Sequence, residues 1–347
     1  MRYTIVAVSV SVVSLSWWLI RSWGLQKPAD VAGATMATLL QELGRDPHPD
    51  LNGIVVTRGG KLIAEAYFNG EDADTLHDIR SATKSITSLL VGVAIDRGLI
   101  KDVDTPIGRY LPGVSGERSR IRIRDLLNMR SGLAADDSAP DSPGREDRLD
   151  ESPDWIRFAL SLPVAHPPGT VYAYASVNAF LAGAIVEQAS QMSLDQFAAA
   201  HLFAPLGIGR FTWRHGPQGR ASGQGNLRIS ARDATKIGQL MLDRGRFNGV
   251  QVLSEKWVRE SLVKQVSIAA VDPYADGYGF MWYTKRLRTG ATSVNVHFAS
   301  GNGGNKIYII PEKRMVVVIT SSAYNTNYGQ KRSQSALLRI LSAETGR

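Results

Sequence analysis

Apolar positions alternate or run together towards both ends of this chain, and recur at three- and four-residue spacing through its middle. The stretch Gly53-Ile54-Val55-Val56-Thr57-Arg58-Gly59-Gly60-Lys61-Leu62-Ile63-Ala64-Glu65-Ala66-Tyr67-Phe68 reads as two strands joined at Gly59-Gly60, a pair that tolerates the positive φ of a tight hairpin. A short amphipathic helix is expected before it, over residues 32–43. After it, Ala82, Ile86, Leu89, Leu90 and Ala94 fall on a helical repeat, with Ser81 in the first turn and Gly98 suited to the C-terminal cap. From Asp104 to about Leu242 the repeats are helical (123–129, 155–160, 176–188, 193–202 and 231–242), and no convincing strand pair interrupts them. Strand patterns return beyond Tyr278, over 294–298, 306–310 and 315–320, before a C-terminal helix near 334–343. Strands from both ends must share one sheet. The expected fold is therefore α/β plus all-α: an antiparallel sheet flanked by helices (about 50–100 and 278–347) with an inserted helical lobe (about 104–242) and a cleft between.

Residues 4–20 carry no charge and close on Trp17-Trp18-Leu19-Ile20, with Arg2 before them and Arg21 and Lys27 after. That profile predicts an N-terminal anchor or signal segment over 1–25 and an exported protein, periplasmic or at the cell surface. The small-x-small triplet Ala32-Gly33-Ala34 comes late, which favours an uncleaved tether. Residues 26–347 form the remaining domain.

Composition narrows the chemistry. The 347 residues include no cysteine, which excludes disulfides, thiolate metal sites and a cysteine nucleophile. The net charge of +8 is spread along the chain and mixed with acids, so it reads as a solvated basic surface and not as a nucleic-acid patch. His77, His166, His201 and His215 lack metal-ligand spacing, and no cofactor is expected. Nothing in the sequence speaks to oligomeric state.

Ser81 and Lys84 lie one helical turn apart, so the amine falls beside the hydroxyl while the unpaired N–H groups of the helix start face whatever the serine attacks. The spacing alone is weak evidence. Ser261-Leu262-Val263-Lys264 repeats it within an ordinary amphipathic helix.

Context separates the two. The hairpin, Ile79-Arg80-Ser81-Ala82-Thr83-Lys84-Ser85, Ile123-Arg124-Asp125-Leu126-Leu127-Asn128-Met129-Arg130-Ser131-Gly132-Leu133, Pro168-Gly169-Thr170-Val171-Tyr172-Ala173-Tyr174-Ala175-Ser176 and Ala299-Ser300-Gly301-Asn302-Gly303-Gly304 occur in that order. Together they resemble the serine beta-lactamase and penicillin-binding-protein superfamily, in particular its class C-like branch of esterases and 6-aminohexanoate-dimer hydrolases. The resemblance implies that Tyr174, in a Y-x-N/S element, joins Lys84 in moving the Ser81 proton, and either could take it first. Tyr172 is the rival, its other reading being core packing against Phe180. The resemblance also implies an oxyanion hole from the N–H groups of Ser81 and Gly304, with Ser176, Asn302 and Gly303 contacting substrate. Two departures stand out: the third motif lacks its usual cation, and serine replaces asparagine at 176. His297 reads as structural, and Tyr278 and Trp282 as pocket lining or core.

The implied function is a metal-free serine hydrolase that cleaves an ester or linear amide through an acyl-enzyme, its partner being a small-molecule or peptide-like acyl substrate. D-Ala-D-Ala peptidase or lactam hydrolysis is the alternative within the class, and a catalytically silent cell-wall-peptide-binding protein the alternative outside it.

Overall fold

The computed structural model describes residues 28–289 and 292–345. The expected anchor over 1–25 lies outside the described residues.

Helix α1 (Pro28–Leu43) leads to the hairpin β1 (Leu51–Arg58) and β2 (Lys61–Tyr67), then β3 (Leu76–Asp78) and the central helix α2 (Thr83–Asp96). The middle holds α3 (Ile123–Leu127), α4 (Glu146–Glu151), α5 (Trp155–Ser161), α6 (Ser176–Ser190) and α7 (Leu194–Ala198). Next come β4 (Thr212–Trp213), β5 (Leu227–Ser230), α8 (Ala231–Leu242), the ribbon β6 (Arg246–Phe247) and β7 (Val250–Gln251), and α9 (Glu255–Leu262). The chain closes with β8 (Val266–Ser267), β9 (Gly277–Gly279), β10 (Trp282–Thr289), β11 (Thr292–Gly301), β12 (Asn305–Ile310), β13 (Met315–Ser321) and α10 (Gly329–Thr345).

Eight strands form one antiparallel sheet in the order β2-β1-β13-β12-β11-β10-β9-β8. The chain ends meet where β1 pairs β13, Ile54 opposite Ile319 and Val56 opposite Val317. These strands are buried on both faces, which is why they read as continuous apolar runs. Helix α8 covers one face so closely that a Cβ on Gly238 would sit 2.5 Å from the Val316 side chain. On the other face α10 packs over β10, β12 and β13, its Ser333 donating to the Gly304 carbonyl at 2.6 Å.

Two expectations need correction. A small sheet, β3-β5-β4, joins the segment before Ser81 to the end of the helical region, where no strand pairing was expected. Its strands are two to four residues long, too short to show a period. Strand β10 was also not anticipated, because Lys285, Arg286 and Arg288 break its apolar pattern.

Helix α2 lies at the junction of sheet and helical region, with Thr83 to Ala94 all buried. Three of its polar side chains bond neighbouring backbone: Ser85 donates to the Met281 carbonyl (2.6 Å), Thr87 to that of Gly223 (2.7 Å), and Thr83 accepts from the Leu227 N–H (3.2 Å). Those bonds fix the helix rotation, and with it the direction in which Lys84 points.

Candidate functional site

Ser81 sits in a single 3₁₀ turn, Arg80–Ala82, that feeds into α2. Arg80 holds a left-handed backbone (φ 51°), a conformation costly for a non-glycine residue. Its N–H donates to Asp78 Oδ1 (2.8 Å) and its guanidinium lies 4.4 Å over the Tyr324 ring. Both contacts hold the turn that presents Ser81 to a cleft of about 190 Å³, bordered by Arg80, Glu146, Asp150, Arg214, Asn226 and Asn302.

Lys84 is 1% exposed and donates to Ser81 Oγ at 3.0 Å and to the Gln224 carbonyl at 2.7 Å. Its Nζ lies 5.2 Å from the Tyr174 ring centroid. Burial alone would push the amine's pKa down. Charge on Tyr174, Glu146 and Asp137 outweighs it, so Lys84 lies above the ordinary lysine value and rests as an ammonium. Ser81, Lys84 and Tyr174, 93 residues apart at the extremes, are thus brought together.

Tyr172 is placed differently. It packs edge-on against Tyr278 (5.6 Å) instead of Phe180, and burial pushes its hydroxyl pKa well up. Tyr278 and Trp282 are fully buried core residues and do not line the cleft. Ser261 is fully buried in α9, and Lys264 lies beyond that helix's end. His297 stands on β11 between Thr284 and Ile309, away from the cleft, and burial pushes its imidazole down to about 4.

The glycine motif departs from expectation. Gly303 and Gly304 both have positive φ (84° and 91°) and make the tight turn from β11 into β12. A Cβ on Gly304 would meet the Gly329 carbonyl at 2.3 Å, so this residue packs under α10, and it is not among the residues that border the cleft. Gly303 packs against Tyr324 in the same way. The strand meets the Ser81 turn earlier, at Gly301, and Asn302 is the motif residue that borders the cleft. The Asn302 side chain is itself held by Asn325, donating to its Oδ1 (2.6 Å) and accepting from its N–H (2.9 Å).

Ser176 does not contact the cleft either. It is fully buried, and both its N–H (2.8 Å) and its hydroxyl (2.7 Å) donate to Asp137 Oδ2. Asp137 went unrecognised in the sequence because its partners are remote. Its one signal was its place in an Asp- and Pro-rich loop, 136–147, of the kind that builds pocket walls. Lys306 was also missed. Buried on β12 beneath α10, it donates to Ser300 Oγ (2.7 Å), and burial pushes its amine down to about 7.

An antiparallel sheet carrying a helical region, with a serine and lysine heading the helix between them, is the architecture of the beta-lactamase/transpeptidase-like serine hydrolases. The chain belongs to the Beta-lactamase family, whose model matches residues 48–343. It is 26% identical over 291 residues to the 6-aminohexanoate-dimer hydrolase of Paenarthrobacter ureafaciens, covering 78% of this chain and 72% of that protein. Among solved structures it is similar to a penicillin-binding protein homolog from Caulobacter crescentus (TM-score 0.71, 16% identity, 93% of this chain and 98% of that one). A D-stereospecific amidohydrolase from Streptomyces sp. shares the fold as well (TM-score 0.66, 18% identity, 87% and 98%).

Proposed function

We propose that this protein is a carboxylesterase or linear-amide hydrolase in which Ser81 is the nucleophile, and the 3.0 Å bond from Lys84 to Ser81 Oγ carries the reading. Ser81 attacks the substrate carbonyl to form a tetrahedral intermediate. Lys84 is already an ammonium that donates to the serine oxygen, so this reading requires Tyr174 to act as a phenolate beside it, whose oxygen takes the Ser81 proton and, as the phenol, returns it to the leaving group. Water then releases the acyl group from Ser81 by the reverse sequence. The N–H groups of Ser81 and Asn302, both bordering the cleft, are the proposed oxyanion donors.

Two observations favour esters and linear amides over lactams. The relative from Paenarthrobacter is by name a 6-aminohexanoate-dimer hydrolase. The segment of β11 beside Ser81 offers Ser300, Gly301 and Asn302 with no cation among them, while Lys306 is sealed beneath the sheet. Turnover of a neutral p-nitrophenyl ester and of a linear anilide by the wild type, lost in Ser81→Ala, is the expected result. Faster turnover of nitrocefin than of either would favour lactam hydrolysis instead.

The uncharged run over 4–20 supports a further proposal, that the protein is exported and tethered by residues 1–25. Fractionation of cells expressing the full chain tests it. Recovery with membranes, abolished by deletion of residues 1–25, is expected; recovery of the full chain in the cytoplasmic fraction contradicts it.

A further inference from the structure

One carboxylate ties together the segments that surround Lys84. Asp137 Oδ1 accepts the N–H of Glu146 at the head of α4 (3.0 Å), and Oδ2 accepts the N–H and hydroxyl of Ser176 at the head of α6 (2.8 and 2.7 Å). The Asp137 N–H in turn donates to the Tyr174 carbonyl at 2.8 Å. A single residue therefore fastens the loop, the helix carrying Glu146 and the Tyr174-Ala175-Ser176 segment. Every one of these bonds puts a donor on the carboxylate or fixes the tyrosine's own backbone.

We propose that Asp137 is a positioning residue of the reaction, which keeps Lys84 charged and holds Tyr174 against it. The inference rests on Ser81, Lys84 and Tyr174 being the reacting set. The geometry explains why a carboxylate is needed. Lys84 is buried with only oxygen dipoles in contact, from Ser81 and Gln224, and no carboxylate reaches ion-pairing distance among the described residues. A buried ammonium so placed depends on the field of acids further out. The groups that act on it are Tyr174, Glu146 and Asp137, and those that act on Asp137 are Lys84 and Glu146. Asp137 is the one that also orients the others, since it bonds the backbone at both Glu146 and Tyr174. Neutralising it weakens the hold on Lys84's proton, and activity that needs the ammonium fails at lower pH.

The test is the pH profile of ester turnover by the wild type, Asp137→Asn and Ser176→Ala. Asp137→Asn removes the charge and keeps the shape. We expect kcat to fall at least ~10-fold with KM within about threefold, and the alkaline limb to move about one unit towards acid. Ser176→Ala removes one bond and keeps the carboxylate, so it should lose activity by a few-fold with its alkaline limb in place. An active Asp137→Asn enzyme whose alkaline limb coincides with wild type overturns the proposal, as does an equal loss at every pH, the signature of a merely structural role. Should Asp137→Asn fail to fold, Asp137→Ser, smaller and also uncharged, is read against the same limb. Failure of the underlying reading looks different: Ser81→Ala would then turn over substrate like the wild type, whatever Asp137 does.

Discussion

Gly301 of β11 stands against Ile79 so closely that a Cβ at position 301 would lie 2.0 Å from the Ile79 carbonyl oxygen. The strand therefore rests backbone to backbone on the turn that presents Ser81, two residues further on. No side chain fits between them.

Gly301→Ala should push the strand off that turn. The expected cost is about 1–3 kcal/mol in stability and a ~100-fold loss of ester turnover from misplacement of Ser81 and Asn302. Gly209, with ordinary backbone and nothing within 4 Å of a Cβ, provides the control, and Gly209→Ala should match wild type in both. Chemical denaturation and turnover check both variants; a fully active Gly301→Ala would contradict the close packing.

The two neighbouring tyrosines should separate cleanly. Tyr174 faces Lys84, whereas Tyr172 packs on Tyr278. Tyr174→Phe is expected to lower kcat by about 10²–10⁴-fold, and Tyr172→Phe by less than about fivefold. Equal losses in the two would remove the proton-transfer role proposed for Tyr174.

These contrasts mark what the sequence makes legible. The hairpin, α2 and strands β12 and β13 carry long regular patterns, so burial and period agree. Ser81 and Lys84 meet because a helical turn guarantees it, and no tertiary knowledge is required. Asp137 and Ser176 meet across 39 residues through a loop with no period at all. The glycine motif shows a smaller gap: a strand next to a nucleophile is visible in it, but the residue at which that strand turns under α10 depends on what the helix packs against. Ser176 likewise shows in sequence only as a missing amide, and its carboxylate partner is visible only once the loop is folded.

Lys306 makes stability depend on pH in a definite sense. Burial pushes its amine down to about 7 from the ordinary lysine value of 10.5. Between those values the unfolded chain binds more protons, so the cost of burying the lysine is absent above about 10.5, accumulates as pH falls, and is complete below about 7. Lys306→Met should therefore stabilise the protein by about 1–3 kcal/mol near pH 6.5, with the gain shrinking towards pH 10. Urea unfolding at several pH values measures it; a variant less stable than wild type at pH 6.5 would show that the bond to Ser300 outweighs the burial.

His297 works in the same sense at lower pH. Its imidazole is held down to about 4 by burial, and the Glu312 charge offsets this only in part. The unfolded chain takes up a proton there between about 6.5 and 4, so stability is lost as pH falls through that window. In His297→Gln that part of the acid sensitivity should disappear, leaving a flatter stability curve between pH 6.5 and 4.5. An unchanged slope in unfolding experiments would contradict the buried neutral ring.

The central claim is that Ser81 is the residue that becomes acylated. Treatment with a fluorophosphonate, followed by intact mass and peptide mapping, tests it most directly. One adduct on the peptide containing Ser81 is predicted for wild type and for Ser261→Ala, much slower labelling for Lys84→Ala, and none for Ser81→Ala. An adduct of equal yield on Ser81→Ala would contradict the account.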